Sequence, residues 1–214
     1  MSETSLIIST WGAFEVAQRE ETRDRILEAA MSLFADMGFH ATTTDAVAAE
    51  AGVAVGTIYN YFRSKEDILS YIFLRASDER IRYWRGLETV QSPSQRILAF
   101  IEWHFSQISH DPRLGVILVH CLVSGIPGMA QFQRDMRRAY VSNLELATAR
   151  QEIACDPEVM AIALMGIMEA SVREGVARLA RCGARQDMEG FFSRAMLQIS
   201  ALLRGLVSSD GSGE

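Results

Sequence analysis

Residues 44–62 read TDAVAAEAGVAVGTIYNYF, and this stretch decides the fold of the N-terminal part of the chain. Two short helices that cross at a tight turn need a small residue where their backbones meet and a left-handed glycine in the turn. Ala48 and Gly52 stand at those two positions. The apolar core positions are taken by Val47, Val53 and Ile58. The spacing therefore predicts a helix-turn-helix, with helices over about 43–51 and 55–61.

The second of these helices presents an outward face with many hydrogen-bonding groups and no charge. This face consists of Val55, Gly56, Thr57, Tyr59, Asn60 and Tyr61. In a recognition helix such groups enter the major groove, where asparagine can pair with adenine and threonine can touch a thymine methyl. The alternative for Asn60 is an ordinary exposed helix residue, and the helix-turn-helix context favours DNA contact.

The run from Ile26 to Leu69 resembles the DNA-binding domain of the TetR family of bacterial repressors. The resemblance is carried by ILEAA (26–30), LF (33–34), GF (38–39), TT (42–43), AGV (51–53), GTIY (56–59), Phe62 and SKE (64–66). It implies that Thr43, Tyr59, Tyr61 and Lys65 contact phosphates, and that Thr57 and Asn60 face bases. Ala54 departs from the family pattern, because a serine that caps the second helix is common there. The sequence therefore predicts a recognition helix without this N-terminal cap.

Outside this motif the chain has the pattern of an all-helical protein. Apolar residues recur at helical spacing, and no segment shows sustained alternation of apolar and polar residues. Three of the four prolines directly follow a capping residue, in Ser92-Pro93, Asp111-Pro112 and Asp156-Pro157. That order is a start signal of a helix. The predicted fold class is all-α, with an N-terminal three-helix helix-turn-helix domain and a C-terminal helical domain.

The predicted domains are a flexible N-terminal arm over 1–18, a helix-turn-helix DNA-binding domain over 19–66, a helical ligand-binding and dimerisation domain over 67–207, and a disordered tail over 208–214. The TetR resemblance implies that the C-terminal domain binds a small ligand and dimerises through its last two long helices. The apolar patterns over 157–181 and 187–206 are long enough to pair with a second copy as a four-helix bundle. A homodimer would place two recognition helices on a palindromic double-stranded DNA operator.

Candidate ligand contacts lie on apolar helix faces that carry a few polar groups. They are Phe100, Trp103, His104, His120, Met165, Met168 and Glu169. Core packing is the alternative for the methionines, and a hydrogen-bonded core histidine is the alternative for His104. The segments His104-Phe105, 111–119 and 138–140 resemble family members that respond to fatty acyl-CoA. The implied effector is a small, largely apolar ligand such as a fatty acyl-CoA.

Composition excludes several other classes of protein. The chain has 214 residues, 49% of them hydrophobic, which is enough to bury a core. Three scattered cysteines form no CxxC pair, and no apolar run approaches the roughly 20 residues of a membrane span. We therefore expect a cytoplasmic protein with no membrane association and no cofactor. We also expect no metal site, because His110, His120 and Cys121 lack the spacing of metal ligands.

The net charge is −6, which argues against a large ionic interface with DNA. The presumed contact face nevertheless carries no acid, so we expect few ionic phosphate contacts and a shallow salt dependence. The predicted function is a homodimeric repressor that an apolar ligand releases from its operator. One alternative is a DNA-binding regulator without small-molecule input. The other is an enzyme with a site in the helical core, which no nucleophile–base pattern or phosphate loop supports, so we expect no enzymatic activity.

Overall fold

The computed structural model describes residues 3–90, 92–182 and 185–205, and no β-strand occurs within those ranges. The helices are α1 (Glu3–Asp36), α2 (Thr44–Glu50), α3 (Val55–Tyr59), α4 (Lys65–Gly86), α5 (Pro93–His110), α6 (Pro112–Ser124), α7 (Met129–Ala149), α8 (Pro157–Cys182) and α9 (Arg185–Gly205), with a short 3-10 helix at Leu87–Thr89. The prediction of an all-α fold is confirmed. The predicted tail over 208–214 lies outside the described residues.

The chain divides into two compact units, Met1–Ile72 and Phe73–Glu214. The boundary falls inside helix α4, whereas the sequence placed it at the start of that helix. The first turns of α4 belong to the N-terminal unit, where the ring of Tyr71 meets the ring of Phe62 edge to face at a centroid distance of 5.7 Å. The end of the N-terminal unit is therefore set by packing and not by a break in the helix.

The N-terminal unit buries a small apolar core contributed by α1, α2, α3 and the start of α4. Its members include Ile26, Ala30, Phe34, Val47, Ala48, Ile58, Phe62, Ile68 and Leu69. Helix α1 begins at Glu3, so its backbone is helical through most of the segment that the sequence predicted as a flexible arm. That segment contains no proline, and residues 13–21 are rich in strong helix formers such as alanine, glutamate, glutamine and arginine.

The C-terminal unit is built from α5 to α9 and the later turns of α4. Pro93, Pro112 and Pro157 are the first residues of their helices, as predicted. Each preceding side chain accepts a hydrogen bond from a backbone N–H of the first turn. The distances are 3.3 Å for Ser92 Oγ to Gln95 N, 3.1 Å for Asp111 Oδ1 to Arg113 N, and 3.0 Å for Asp156 Oδ1 to Val159 N. These three helix starts are therefore local features of the sequence.

Helices α8 and α9 approach each other closely at a glycine. A Cβ atom placed on Gly175 would lie 2.5 Å from the ring of Phe192, so only glycine fits this contact without a shift. The same Phe192 ring stacks on Phe105, with centroids 4.8 Å apart. Elsewhere the two helices expose apolar side chains to solvent, among them Val159, Ile162 and Leu197. The pair therefore has both a packed side and an uncovered apolar side.

In the part of the chain that the structure describes, no single helix is long and apolar enough to cross a membrane. Helices α6 and α7 reach the required length and composition only as a pair, and they are bent by 105° relative to each other.

Candidate functional site

The helix-turn-helix consists of α2, a turn at Gly52 and α3. Thr43 caps α2, because its Oγ1 accepts a hydrogen bond from Ala46 N at 3.1 Å. Gly52 has a left-handed backbone with φ of +65°, which favours glycine at this position. Val47 and Ile58 are fully buried. The motif is therefore held by the glycine turn and the apolar contacts that the sequence predicted, and by the Thr43 cap, which it did not predict.

Helix α3 is short and lacks a side-chain cap. It spans only Val55–Tyr59, and the residue before it, Ala54, has an extended backbone with φ of −68° and ψ of 146°. No side chain accepts a hydrogen bond at this end of the helix. The predicted missing cap is therefore confirmed. Thr57 N donates to the Ala54 carbonyl oxygen at 2.8 Å, so the N–H groups of Val55 and Gly56 are the ones left to water or to a bound partner.

The side chains predicted to contact DNA are accessible to different degrees. Thr43, Val55, Gly56, Tyr59 and Asn60 are exposed, and Thr57, Tyr61 and Lys65 are half-buried. The hydroxyl of Tyr59 lies 3.2 Å from Thr44 Oγ1, which holds the phenol beside α2. The guanidinium of Arg19 lies over the ring of Tyr61, 5.9 Å from its centroid. Hydroxyl, amide and ring groups therefore predominate at these positions, as the sequence indicated.

Lys65 has a different environment from the one expected. Its Nζ donates hydrogen bonds to the carbonyl oxygens of Phe39, His40 and Thr42, at 2.9, 3.2 and 3.0 Å. The same Nζ lies 4.7 Å from the centroid of the Phe39 ring. A lysine ammonium has three N–H donors, and all three have acceptors inside the protein. Lys65 thus ties the loop between α1 and α2 to the start of α4, and a phosphate would have to share or replace one of these bonds.

The C-terminal unit contains an apolar cavity of about 80 Å³. Helices α4 to α8 line it. The lining residues are Arg80, Phe100, His104, Leu118, Leu122, Met129, Phe132, Gln133, Met136, Tyr140, Met165, Met168, Glu169 and Val172. Because a single water molecule needs roughly 10–15 Å³ of such space, the cavity as it stands admits a small apolar group. Four methionines in the lining allow it to adapt its shape to a larger ligand.

Most of the residues predicted as ligand contacts lie in this lining. They are Phe100, His104, Met165, Met168 and Glu169. The structure does not bring Trp103 and His120 into the cavity. Trp103 stacks on Tyr83, with ring centroids 4.3 Å apart, and His120 Nε2 lies 3.1 Å from the Ser124 hydroxyl. Neighbouring side chains on an α-helix point about 100° apart, so Trp103 lies outside the helix face that His104 occupies.

Arg80, like Gln133, is a polar residue of the cavity that sequence reasoning missed. Its side chain is only 3% exposed. Its Nε donates a hydrogen bond to His104 Nδ1 at 3.3 Å, and its Nη1 donates to the Ala76 carbonyl oxygen at 2.7 Å. Burial lowers the pKa of Arg80 to about 10, and the charge of Glu79 acts in the opposite direction. The available signal was spacing, since Phe73, Ala76 and Arg80 recur at helical intervals on α4.

The other polar groups of the cavity are neutral or already bonded. Burial, and secondly the charge of Arg80, hold the pKa of His104 well below its usual value. Because His104 Nδ1 accepts a hydrogen bond, the single proton of the neutral ring lies on Nε2. Tyr140 donates from its hydroxyl to Met168 Sδ at 3.0 Å, and Glu169 Oε1 accepts from Gln133 Nε2 at 3.2 Å. A buried cation among apolar side chains is therefore the main electrostatic feature of this site.

Comparisons with known proteins agree with both units. The family model described as "Bacterial regulatory proteins, tetR family" matches residues 26–72. The chain is 30% identical over 161 residues to the fatty acid metabolism regulator protein of Bacillus subtilis (strain 168), an alignment that covers 73% of this chain and 74% of that relative. It is 33% identical over 95 residues to the HTH-type transcriptional repressor KstR2 of Mycolicibacterium smegmatis, which covers 44% of this chain and 46% of that protein.

A solved structure extends the likeness over most of the fold. The transcriptional regulator FadR from Bacillus subtilis, solved in complex with stearoyl-CoA, superimposes with a TM-score of 0.65 at 21% identity, covering 80% of this chain and 96% of that chain. At this identity the likeness concerns the fold. Together with the helix-turn-helix geometry and the 30% identity over most of the chain, these matches show that the protein belongs to the TetR family of bacterial regulatory proteins.

Proposed function

We propose that the protein is a cytoplasmic repressor that leaves a palindromic DNA operator when a small, largely apolar ligand enters the cavity of its C-terminal unit. The apolar cavity carries the ligand-binding part of this proposal, because ligand sites are typically apolar pockets with a few convergent polar groups. The names of the relatives refer to a repressor and to fatty acid metabolism, and one solved relative holds stearoyl-CoA. A fatty acyl-CoA is therefore one candidate within this ligand class.

On the DNA side, α3 is the recognition helix of the proposal. Asn60 and Thr57 would contact base edges, since an amide and a hydroxyl on such a helix can read the major groove. Thr43, Tyr59 and Tyr61 would donate hydrogen bonds to phosphates, which position the protein without reading sequence. Val55 and Gly56 would allow close approach at the uncapped start of the helix. Lys65 would stabilise this surface by its hydrogen bonds to the loop before α2.

The proposed homodimer forms through α8 and α9. Val159 and Leu197 are each 64% exposed and Ile162 is 54% exposed, although the opposite sides of these helices are packed. Burying apolar surface contributes roughly 25 cal/mol per Å², so a second copy covering this side would stabilise the protein. Ile162→Glu should give monomers in sedimentation experiments and weaken operator binding. Val123→Glu is the matched control, because Val123 is also exposed but lies on α6.

Helix α4 would couple the two events. It begins at Lys65, which ties down the loop before α2, and it carries Arg80 in the cavity lining. A ligand changes DNA affinity only if it binds the conformation with low DNA affinity more tightly than the conformation with high affinity. A ligand would meet this condition if it bound more tightly to a conformation in which the later turns of α4 are displaced. Such a displacement would lower DNA affinity, since the same helix supports the DNA-binding surface.

The experiment that tests this function is a selection of bound sequences from random DNA, repeated in the presence of metabolite extract. We expect enrichment of a palindromic sequence and its loss when extract is added. Failure to enrich any sequence would contradict DNA recognition. Enrichment that no extract or acyl-CoA changes would favour the alternative of a regulator without small-molecule input.

A further inference from the structure

Arg80 places a positive charge inside an apolar cavity and makes no ion pair with the described residues. Among the residues that the structure describes, no carboxylate oxygen lies within ion-pair distance of its guanidinium. Glu169 lines the same cavity, but its Oε1 accepts a hydrogen bond from Gln133 Nε2. The two partners of Arg80 are a backbone carbonyl and the ring of His104, and burial keeps that ring neutral. The charge is thus solvated by two acceptors, and the exposed carboxylate of Glu79 offsets its burial only in part.

An uncompensated buried charge is unfavourable, because desolvation of an ion is offset only by a nearby opposite charge and by hydrogen bonds. A guanidinium has five N–H donors in a planar fork that matches a carboxylate through two parallel hydrogen bonds. The two observed bonds use Nε and Nη1. The donors of Nη2 make no hydrogen bond with the described residues, so the fork has donors left for an anion that enters the cavity.

We propose that the cavity takes an apolar ligand ending in a carboxylate, and that this carboxylate pairs with the guanidinium of Arg80. The inference rests on the proposed function, because it names the chemistry of the ligand that the C-terminal unit binds. The hydrocarbon part contacts Phe100, Phe132 and the methionines, and the carboxylate supplies the missing negative charge. His104 accepts from Arg80 Nε and so holds the guanidinium in its orientation.

This chemistry separates a free acid from its coenzyme A thioester. A thioester carbonyl is neutral, so it accepts a hydrogen bond but leaves the charge of Arg80 uncompensated. The phosphates of coenzyme A are charged, but the long pantetheine arm separates them from the acyl chain that would enter the apolar cavity. A free carboxylate directly on an apolar body combines the charge and the apolar surface that the site favours.

The test measures binding by calorimetry with three matched probes, namely octanoate, 1-octanol and octanoyl-CoA. The wild-type protein should bind octanoate more tightly than the other two. Arg80→Met should weaken octanoate binding by roughly 30-fold or more, which corresponds to the loss of one partner from a buried charge pair. The same variant should bind 1-octanol at least as well as the wild type does, since it offers a neutral, apolar lining. This reversal of preference cannot arise from unfolding.

Arg82→Met is the matched control, because Arg82 is exposed on the same helix. It should bind all three probes as the wild type does. The proposal is overturned if 1-octanol or octanoyl-CoA binds the wild type as tightly as octanoate, if Arg80→Met keeps its affinity for octanoate, or if octanoate does not bind. Operator binding is measured separately on ligand-free protein. Absence of operator binding contradicts the proposed function. Release of the operator by neutral ligands alone contradicts only the proposed pairing of a ligand carboxylate with Arg80.

Discussion

Arg80 Nε donates a hydrogen bond to His104 Nδ1 across 3.3 Å, and both side chains are almost completely buried. The pair differs from a salt bridge, because a neutral acceptor orients the cation without cancelling its charge. The charge of Arg80 disfavours protonation of His104, and burial lowers the pKa of both groups. This arrangement predicts two effects on the stability of the ligand-free protein.

The first effect concerns the charge of Arg80. Arg80→Met should raise the free energy of unfolding of the ligand-free protein by about 1 to 3 kcal/mol, because replacing buried charge with an apolar side chain of similar length is often stabilising. Urea denaturation of the variant and of the wild type measures the difference. Arg82→Met, on the exposed side of α4, should change stability by less than about 0.5 kcal/mol. A large loss of stability in Arg80→Met would contradict an uncompensated charge.

The second effect concerns pH. The unfolded chain protonates His104 near pH 6.5, whereas the native protein does not, because its His104 pKa is far lower. As pH falls below about 6.5, the unfolded state binds more protons and stability falls by up to about 1.4 kcal/mol per pH unit. His104→Gln keeps a hydrogen-bond acceptor for Arg80 but lacks this titration. Its stability should therefore depend less on pH between about pH 6.5 and 5. Parallel pH profiles of the two proteins would show that His104 also protonates in the native state.

Lys65→Met tests whether the Lys65 ammonium stabilises the fold or contacts a phosphate. It removes three hydrogen bonds of a charged donor, so we expect a loss of roughly 2 kcal/mol or more in unfolding free energy. Arg63→Met removes a cation that is 92% exposed and should leave stability nearly unchanged. The salt dependence of operator binding gives the second readout. An unchanged melting temperature together with a salt slope reduced by about 1 would instead assign Lys65 to a phosphate.

Ala54→Ser should restore the missing cap of α3. The extended backbone at this position is the conformation of an N-cap residue, so a serine Oγ could accept from a nearby backbone N–H. We expect a gain of about 1 kcal/mol in unfolding free energy. Ala49→Ser, at an exposed position inside α2, is the matched control and should be slightly destabilising. Equal effects of the two substitutions would contradict the capping explanation.

Asn60→Ala should weaken operator binding by roughly 1–3 kcal/mol and relax the preference at one base-pair position. Competition binding against a set of singly substituted operators measures both quantities. A uniform loss across all operators would point to a phosphate contact. Unchanged affinity for every operator would remove Asn60 from the contact surface.

The features that the sequence predicted best depend on residues close together in the chain. Ala48, Gly52 and Ile58 act within one supersecondary motif, so their spacing is sufficient to predict the turn and its core. Helix starts such as Ser92-Pro93 are similarly local. These signals do not depend on how distant helices pack, and the structure confirms them.

The features that the sequence missed depend on packing between distant residues. The partners of Lys65 lie more than twenty positions earlier in the chain, and nothing near Lys65 reveals their carbonyls. Arg80 and His104 are likewise far apart in sequence. Trp103 and His104 are adjacent on a helix with apolar residues on several sides, so sequence alone did not decide which of them faces the cavity.

The hydrogen bonding of Lys65 has a practical consequence, because this residue is the only lysine in the chain. Amine-reactive reagents need access to the amine nitrogen, and three carbonyl oxygens surround the Lys65 nitrogen while the loop is closed. Labelling of this one side chain, followed by mass spectrometry, therefore reports how often the loop between α1 and α2 opens. The DNA-binding unit thus carries the one lysine side chain that such labelling can report on, with no competing lysine to remove.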